Sequence, residues 1–274
     1  MSFEIKFWGV RGTIPTPYHS HLGFGGNTSC VEIHANGHRI ILDAGTGIRS
    51  LGAAMQRDDG RKAHLLLSHT HLDHINGFPF FAPVFSKETA LTIMAGHLAD
   101  QGGVQHVLQQ HLAEPNFPIP VEKMGALMDF VDFRAGDAFA LGPEVTVRTA
   151  PLNHPYGATG YRIEHAGKSA CYVTDTEHTP GRPDQNVLGL IEGADLFIYD
   201  CTYTDQEFGD KAGWGHSTWQ EGMRLAKAAN VGTFVIFHHE PDHDDTVMAA
   251  IEQEARQNFP GAIAAREGMK IRLR

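Results

Sequence analysis

Nothing in this 274-residue chain approaches the roughly 18 or more consecutive apolar residues of a membrane span. Cysteine is scarce. Cys30, Cys171 and Cys201 are odd in number and none sits in a CxxC pair, which argues against a disulfide framework; three small buried hydrophobes in a reducing cytoplasm are the expectation. The opening Met1-Ser2-Phe3-Glu4 carries an acidic residue early and no long apolar stretch followed by small residues, so it lacks the pattern of a secretory leader. Positive charge is in short supply: 22 Lys and Arg face 32 Asp and Glu, a net −10 with histidines neutral. Broad, sequence-independent contact with nucleic acid relies on cations neutralising phosphates, so that partner is disfavoured, though a local basic patch is not excluded. The glycines of Ala44-Gly45-Thr46-Gly47 belong to neither GxxxxGK[ST] nor GxGxxG, which removes a nucleotide-binding loop.

What is present is core-forming material and an excess of histidine. Hydrophobic residues are 42% and charged residues 20%, an ordinary globular balance. The length allows one sizeable α/β domain or two small ones, and with no linker or low-complexity tract one domain, 1–274, is expected. The 18 histidines are the anomaly, because several cluster and imidazole suits zinc and similar metals at neutral pH.

Short apolar runs separated by glycine turns fill the first third. Strands are predicted at Phe3–Val10, Ser29–His34 and His38–Leu42, the last two joined by the Ala35-Asn36-Gly37 turn; a helix ends near Met55, and strands follow at Ala63–Ser68 and Leu91–Ala95. From about 96 to 129 the character changes. A helix at Gly103–Leu112 and the proline-rich stretch after Glu114 read either as a lid inserted over one face or as a packed connector. The second half predicts strands at Val145–Ala150, Thr159–Glu164, Ser169–Thr174, Leu196–Tyr199 and Thr233–Phe237. Helices are predicted near Asn186–Glu192, Ser217–Ala229, capped by Ser217 or Thr218, and Asp244–Asn258. Two strand-rich halves, each ending in helices, predict an α/β four-layer αββα sandwich.

Ser68-His69-Thr70-His71-Leu72-Asp73-His74 places three imidazoles and a carboxylate within six residues at the end of an apolar strand. Residues two apart share a side of an extended chain, so His69 and His71 can converge on one ion while Asp73 and His74, past the turn, face a second. This HxHxDH pattern resembles the signature of the metallo-β-lactamase superfamily. The resemblance extends over nearly the whole chain and implies the αββα fold and a site of two metal ions. His154, in Leu152-Asn153-His154-Pro155, is similar to the third ligand of the first ion, Asp175, in Val173-Thr174-Asp175-Thr176, to the aspartate bridging both, and His238, in Phe237-His238-His239-Glu240-Pro241, to the last ligand of the second. His239 is the competing choice. Asp43, in Leu42-Asp43-Ala44-Gly45, is similar to the aspartate that supports the site from behind.

Within the superfamily the chain resembles the phosphodiesterase branch that includes ribonuclease Z. The bridging position is aspartate rather than cysteine, Gly215-His216-Ser217-Thr218 matches an HST segment, and the strand from Ala194 ends at the acidic Asp200. The long glycine- and proline-rich arm of many ribonuclease Z enzymes is not identifiable. The implied activity is hydrolysis of small phosphodiesters, cyclic nucleotide-like ones included, by a hydroxide shared between ions about 3.5–4 Å apart, with a residual positive charge favouring an anionic substrate. In that scheme Asp73 also orients the nucleophile, and His216, held by Asp200, stabilises charge or protonates the departing alkoxide. His243, between Asp242 and Asp244, is a further candidate donor. Zinc is the first choice of metal, with manganese or iron fitting the same donors. Alternatives are a carbonyl substrate (lactone, thioester or β-lactam) and an RNA-processing nuclease. Similar proteins being commonly dimeric, a homodimer is one expectation, alongside a cytoplasmic location and no membrane partner.

Overall fold

The computed structural model describes residues 3–57 and 61–274; the first two residues of the segment read for a leader lie outside them. The first half runs β1 (Phe3–Gly9), β2 (Cys30–Ala35), β3 (His38–Leu42), α1 (Ile48–Met55), β4 (Lys62–Leu67), α2 (Leu72–Ile75), β5 (Ala90–Ala95), α3 (Gly103–His111) and β6 (Leu127–Asp132). The second runs β7 (Ala138–Ala140), β8 (Val145–Leu152), β9 (Ala158–His165), β10 (Lys168–Val173), α4 (Gln185–Ile191), β11 (Leu196–Asp200), α5 (Asp205–Lys211), α6 (Trp219–Ala228), β12 (Thr233–Phe237), α7 (Asp245–Asn258), β13 (Ala262–Ala264) and β14 (Lys270–Leu273).

These strands make two seven-stranded sheets, ordered β14-β1-β2-β3-β4-β5-β6 and β13-β12-β11-β10-β9-β8-β7. In each half an antiparallel meander passes into parallel strands: β3 to β6 in the first sheet, β10 to β13 in the second. Side-chain alternation sorts the apolar residues into layers. Ile40 and Leu42 of β3 and Leu66 of β4 join Tyr161, Tyr172, Ile198 and Phe237 between the sheets. Their neighbours Ile41, Leu65 and Leu67 turn outward to meet Ile48, Leu51, Val104 and Leu108 from α1 and α3. On the other side, Phe197, Tyr199 and Ile236 meet Leu190, Leu225 and Ile251 from α4, α6 and α7. The result is the αββα sandwich, held by burial worth about 1.5–3 kcal/mol for each large apolar side chain.

Helix starts follow local chemistry. Thr218 accepts from the Glu221 N–H and so caps α6; Asp184 and Asp244 each accept from two backbone N–H groups at the starts of α4 and α7. The 96–129 segment is a packed crossover. It carries the chain from β5 to the parallel β6, and Val104, Leu108, Leu112, Val121 and Met124 are buried against the sheet. Only its first residues reach the histidine cluster, where His97 Nε2 lies 3.3 Å from the Thr70 hydroxyl.

Candidate metal centre

The site residues hang from strand ends. Asp43 follows β3, Ser68 and His69 follow β4, His154 sits in the β8–β9 turn, Asp175 lies just beyond β10, Asp200 closes β11, and His238 follows β12. His71 precedes α2, which supplies Asp73 and His74, and His216 lies in the loop before α6. Asp43, Asp175 and His238 all take left-handed backbone, with φ of 62°, 56° and 61°. Each such non-glycine residue costs of order 1–3 kcal/mol, tolerated where the surroundings dictate the geometry. Gly12 is one such constraint: a Cβ there would lie 2.5 Å from the His238 ring.

Asp175 is the hub. Its Oδ1 lies 3.8 Å from His69 Nε2, 4.0 Å from His154 Nε2 and 3.6 Å from His216 Nδ1. Its Oδ2 lies 3.2 Å from His74 Nε2 and 3.4 Å from His238 Nε2. Asp73 Oδ2 is 3.2 Å and 3.3 Å from the same two nitrogens. On the other flank His154 Nε2 and His71 Nδ1 face each other at 3.0 Å. The ligand atoms therefore fall into four overlapping sets: His69, His71 and His154; His69, His74 and Asp175; Asp73, His74 and His238; and Asp175, Asp200, His216 and His238.

The far side of each ring is tied down. His74 Nδ1 donates to Asp43 Oδ2 at 2.8 Å, His154 Nδ1 to the Gly215 carbonyl at 2.8 Å, and Thr202 Oγ1 meets His238 Nδ1 at 2.9 Å. Such contacts fix ring orientation and leave the inner nitrogens free to ligate. Asp43, wholly buried, also accepts from the Ser68 N–H, the Ser68 hydroxyl and the Tyr172 hydroxyl, each at 2.7 Å.

Burial pushes His69, His71 and His154 below the ordinary imidazole range, so these rings are neutral with a lone pair to give. Burial opposes charge on His74 too, but Asp73, Asp175 and Asp43 outweigh it and lift the ring well above its usual value. Burial likewise opposes ionisation of Asp73 and Asp175; His74 and His238 overcome it and hold both carboxyls well below their usual range. At the edge, burial disfavours a charged His216, yet Asp200, with Oδ2 3.0 Å from His216 Nδ1, brings it up to about 9.

The donor set fits metal. His69 Nε2 is buried and has no hydrogen-bond partner, an arrangement that costs about 1–3 kcal/mol unless something fills it. His154 Nε2 and His71 Nδ1, face to face at 3.0 Å, can share either a proton or a cation. Neutral His and ionised Asp are the donors that zinc, manganese and iron accept.

A family model described as Beta-lactamase superfamily domain matches residues 38–239. This chain belongs to that superfamily. Ribonuclease Z from Bradyrhizobium sp. (strain ORS 278) is 27% identical to it, over 94% of this chain and 95% of the relative. The metallo-β-lactamase fold protein YhfI from Bacillus subtilis superposes with a TM-score of 0.74 at 19% identity, covering 99% of both chains. A diphosphatase from the PhnP family gives 0.71 at 17% identity, covering 99% and 98%. The superfamily membership and αββα fold expected from HxHxDH both stand.

The superfamily centre here assembles His69, His71, Asp73, His74, His154, Asp175, His216, Asp200 and His238 around one hub. His239 turns away; its Nε2 meets the Ala265 carbonyl at 2.9 Å. His243 joins none of these sets and is bound through Nε2 to Glu207 at 2.8 Å. The segment from Arg11 to Pro17 is the loop its glycine and prolines predict, but its part in the site was not expected. There the Thr13 N–H donates to Asp73 Oδ2 at 2.9 Å, and the wholly buried Arg11 donates to the carbonyls of Gly25, Glu240 and His243, clasping the chain just past His238. The one available signal was an arginine set close to Gly9 and Gly12 at the end of a strand. Thr202, which bonds both Asp200 and His238, carried no signal.

Proposed function

We propose that this superfamily member is a dinuclear metal-dependent hydrolase of small phosphodiesters. The observation that carries it is the meeting of a buried, metal-ready donor set with an acid pair, His216 and Asp200, at its edge. His69, His71 and His154 would hold one ion and Asp73, His74 and His238 the other, with Asp175 between. When bound, the ions polarise phosphoryl oxygens and make a water nucleophile available near neutral pH. Two divalent charges against Asp73, Asp175 and a hydroxide leave a single positive charge at the ions themselves, with Asp43 set behind His74, and this favours an anionic phosphate over a neutral carbonyl. Asp73 orients the nucleophile. His216, with Nδ1 committed to Asp200, keeps its Nε2–H to stabilise the negative phosphoryl group or protonate the departing oxygen.

Zinc is the proposed metal. An RNA diester is the second reading, favoured by the similarity to ribonuclease Z and opposed by the net charge of −10. No helix among the described residues is long and apolar enough to cross a membrane, and Cys30, Cys171 and Cys201 are free and buried. A cytoplasmic location accords with both facts. The test is metal analysis of protein purified without chelator, with about two equivalents expected. It is followed by parallel assay of bis(p-nitrophenyl) phosphate, cyclic nucleotides, a transfer-RNA precursor and chromogenic lactones and lactams. Turnover of carbonyl substrates alone would overturn the reading. His71→Ala is expected to abolish turnover and His34→Ala, at a ring paired with Glu32, to spare it.

A further inference from the structure

Four large apolar side chains stand in solvent next to the centre, each within two residues of a residue that builds it. Ile14 (57% exposed) follows Thr13, whose N–H holds Asp73, and Leu72 (66%) lies between His71 and Asp73. Tyr156 (84%) is two residues past His154, and Trp214 (60%) two residues before His216. Apolar side chains exposed singly are ordinary; four beside one buried polar centre are not.

The loops that carry the two aromatics meet in one wall. His154 Nδ1 bonds the Gly215 carbonyl at 2.8 Å, and Pro155 lies so close that a Cβ on Gly215 would come within 2.6 Å of its Cδ. Tyr156 and Trp214 are the next residues outward from that contact. Tyr156 is held in left-handed backbone (φ 64°), an unusual conformation for an aromatic residue. Lys211 Nζ lies 4.5 Å from the Trp214 ring centroid and 5.6 Å from that of Tyr203, whose ring meets His216 edge-on. An ammonium group is thus fixed against the indole beside the acid pair.

We propose that Trp214 and Tyr156 form a stacking subsite for a nucleobase carried by one ester group of the substrate. This rests on the phosphodiesterase reading of the centre. A diester held there by its phosphate must project its ester groups past this wall. Exposed rings accept the face of any base, and Lys211 adds attraction for the attached phosphate.

The test compares 2′,3′-cyclic AMP with glycerol 1,2-cyclic phosphate, which lacks a base, as a ratio of kcat/KM. Trp214→Ala and Tyr156→Ala are each expected to lower the preference for the base-bearing diester about tenfold, through KM, and Trp214→Phe to retain it. Independently of turnover, AMP titrated into metal-depleted protein is expected to quench fluorescence saturably, and the quench to vanish in Trp214→Phe, where Trp8 and Trp219 remain. A short RNA ending in the same base, run beside AMP, shows whether the base arrives on a mononucleotide or a strand; quenching by either keeps the subsite. An unchanged preference ratio in both alanine variants overturns the proposal, as does a dimer in which these rings are already covered and AMP does not quench. Loss of the phosphodiesterase reading looks different: neither diester is cleaved, while the Trp214-dependent quench persists.

Discussion

Replacing Asp43 by asparagine tests how the centre is held from behind. Asp43 receives the Ser68 N–H, the hydroxyls of Ser68 and Tyr172, and His74 Nδ1, all within 2.8 Å and fully buried. In Asp43→Asn the amide oxygen can keep the Ser68 N–H, and one hydroxyl can rotate to accept from the new NH2, whose second hydrogen is left facing His74 Nδ1. His74 cannot rotate its way out. The ring must be neutral to ligate, and in that form its Nδ1 would have to accept from the amide, so its one proton moves to Nε2, the atom that faces Asp73 and Asp175. A protonated Nε2 cannot ligate. Residues that orient a metal-binding histidine typically contribute 10–100-fold in affinity, about 1.4–2.7 kcal/mol, and this loss should fall on one ion only. Removing a charged acceptor should also cost the metal-free fold about 1.5–3 kcal/mol. The assay is zinc titration of metal-depleted protein against a chromophoric chelator, alongside thermal unfolding. One binding class is expected to weaken 10–100-fold while the other stays within about threefold, in line with a single altered ligand. Tyr172→Phe, which removes one neutral donor, should bind both ions normally and lose about 0.5–1.5 kcal/mol of stability. Unchanged affinities in Asp43→Asn, equal weakening of both ions, or an equal effect from Tyr172→Phe would refute the reasoning.

His216→Asn should lower kcat by about 10²-fold or more while leaving two metal equivalents, because its Nδ1 is committed to Asp200 at 3.0 Å and the proposed ligands of both ions stay in place; parallel kinetics and metal analysis check both halves. Glu252 provides a pH test far from the site. Burial opposes its ionisation, but Arg266 and the Ala264 N–H hold its carboxyl below the usual range. A depressed carboxyl stabilises above the unfolded value near 4.5 and loses that contribution as pH falls through the folded value. Glu252→Gln should therefore cost about 1 kcal/mol at pH 7, with the gap from wild type closing below about pH 4 in denaturant melts; an equal gap at both pH values would refute it.

Much of this architecture is local and therefore legible in sequence. Strands β3 and β12 fall where short apolar runs bounded by turn residues place them, because a central strand buried on both faces is apolar almost throughout. The HxHxDH run marks its own function because its ligands are neighbours in the chain. The capping box at Thr204 and Glu207 that opens α5 was equally local, though the sequence reading missed it. Other features depend on partners far along the chain. Strands β6, β7, β13 and β14 are short or alternate weakly, and only docking to a sheet edge makes them strands. Composition cannot choose between His238 and His239, which are identical residues side by side. The choice comes from the left-handed turn at His238, seated against Gly12, and from the Ala265 carbonyl that draws His239 away. The sequence alone determined the donor chemistry and the two halves of the sandwich, since both follow from residue type and short-range periodicity. Tertiary structure decided which donors face one another, which ring nitrogen faces inward and which exposed rings stand beside them, because those depend on distances between residues as far apart as the 232 positions bridged by Arg11 and His243.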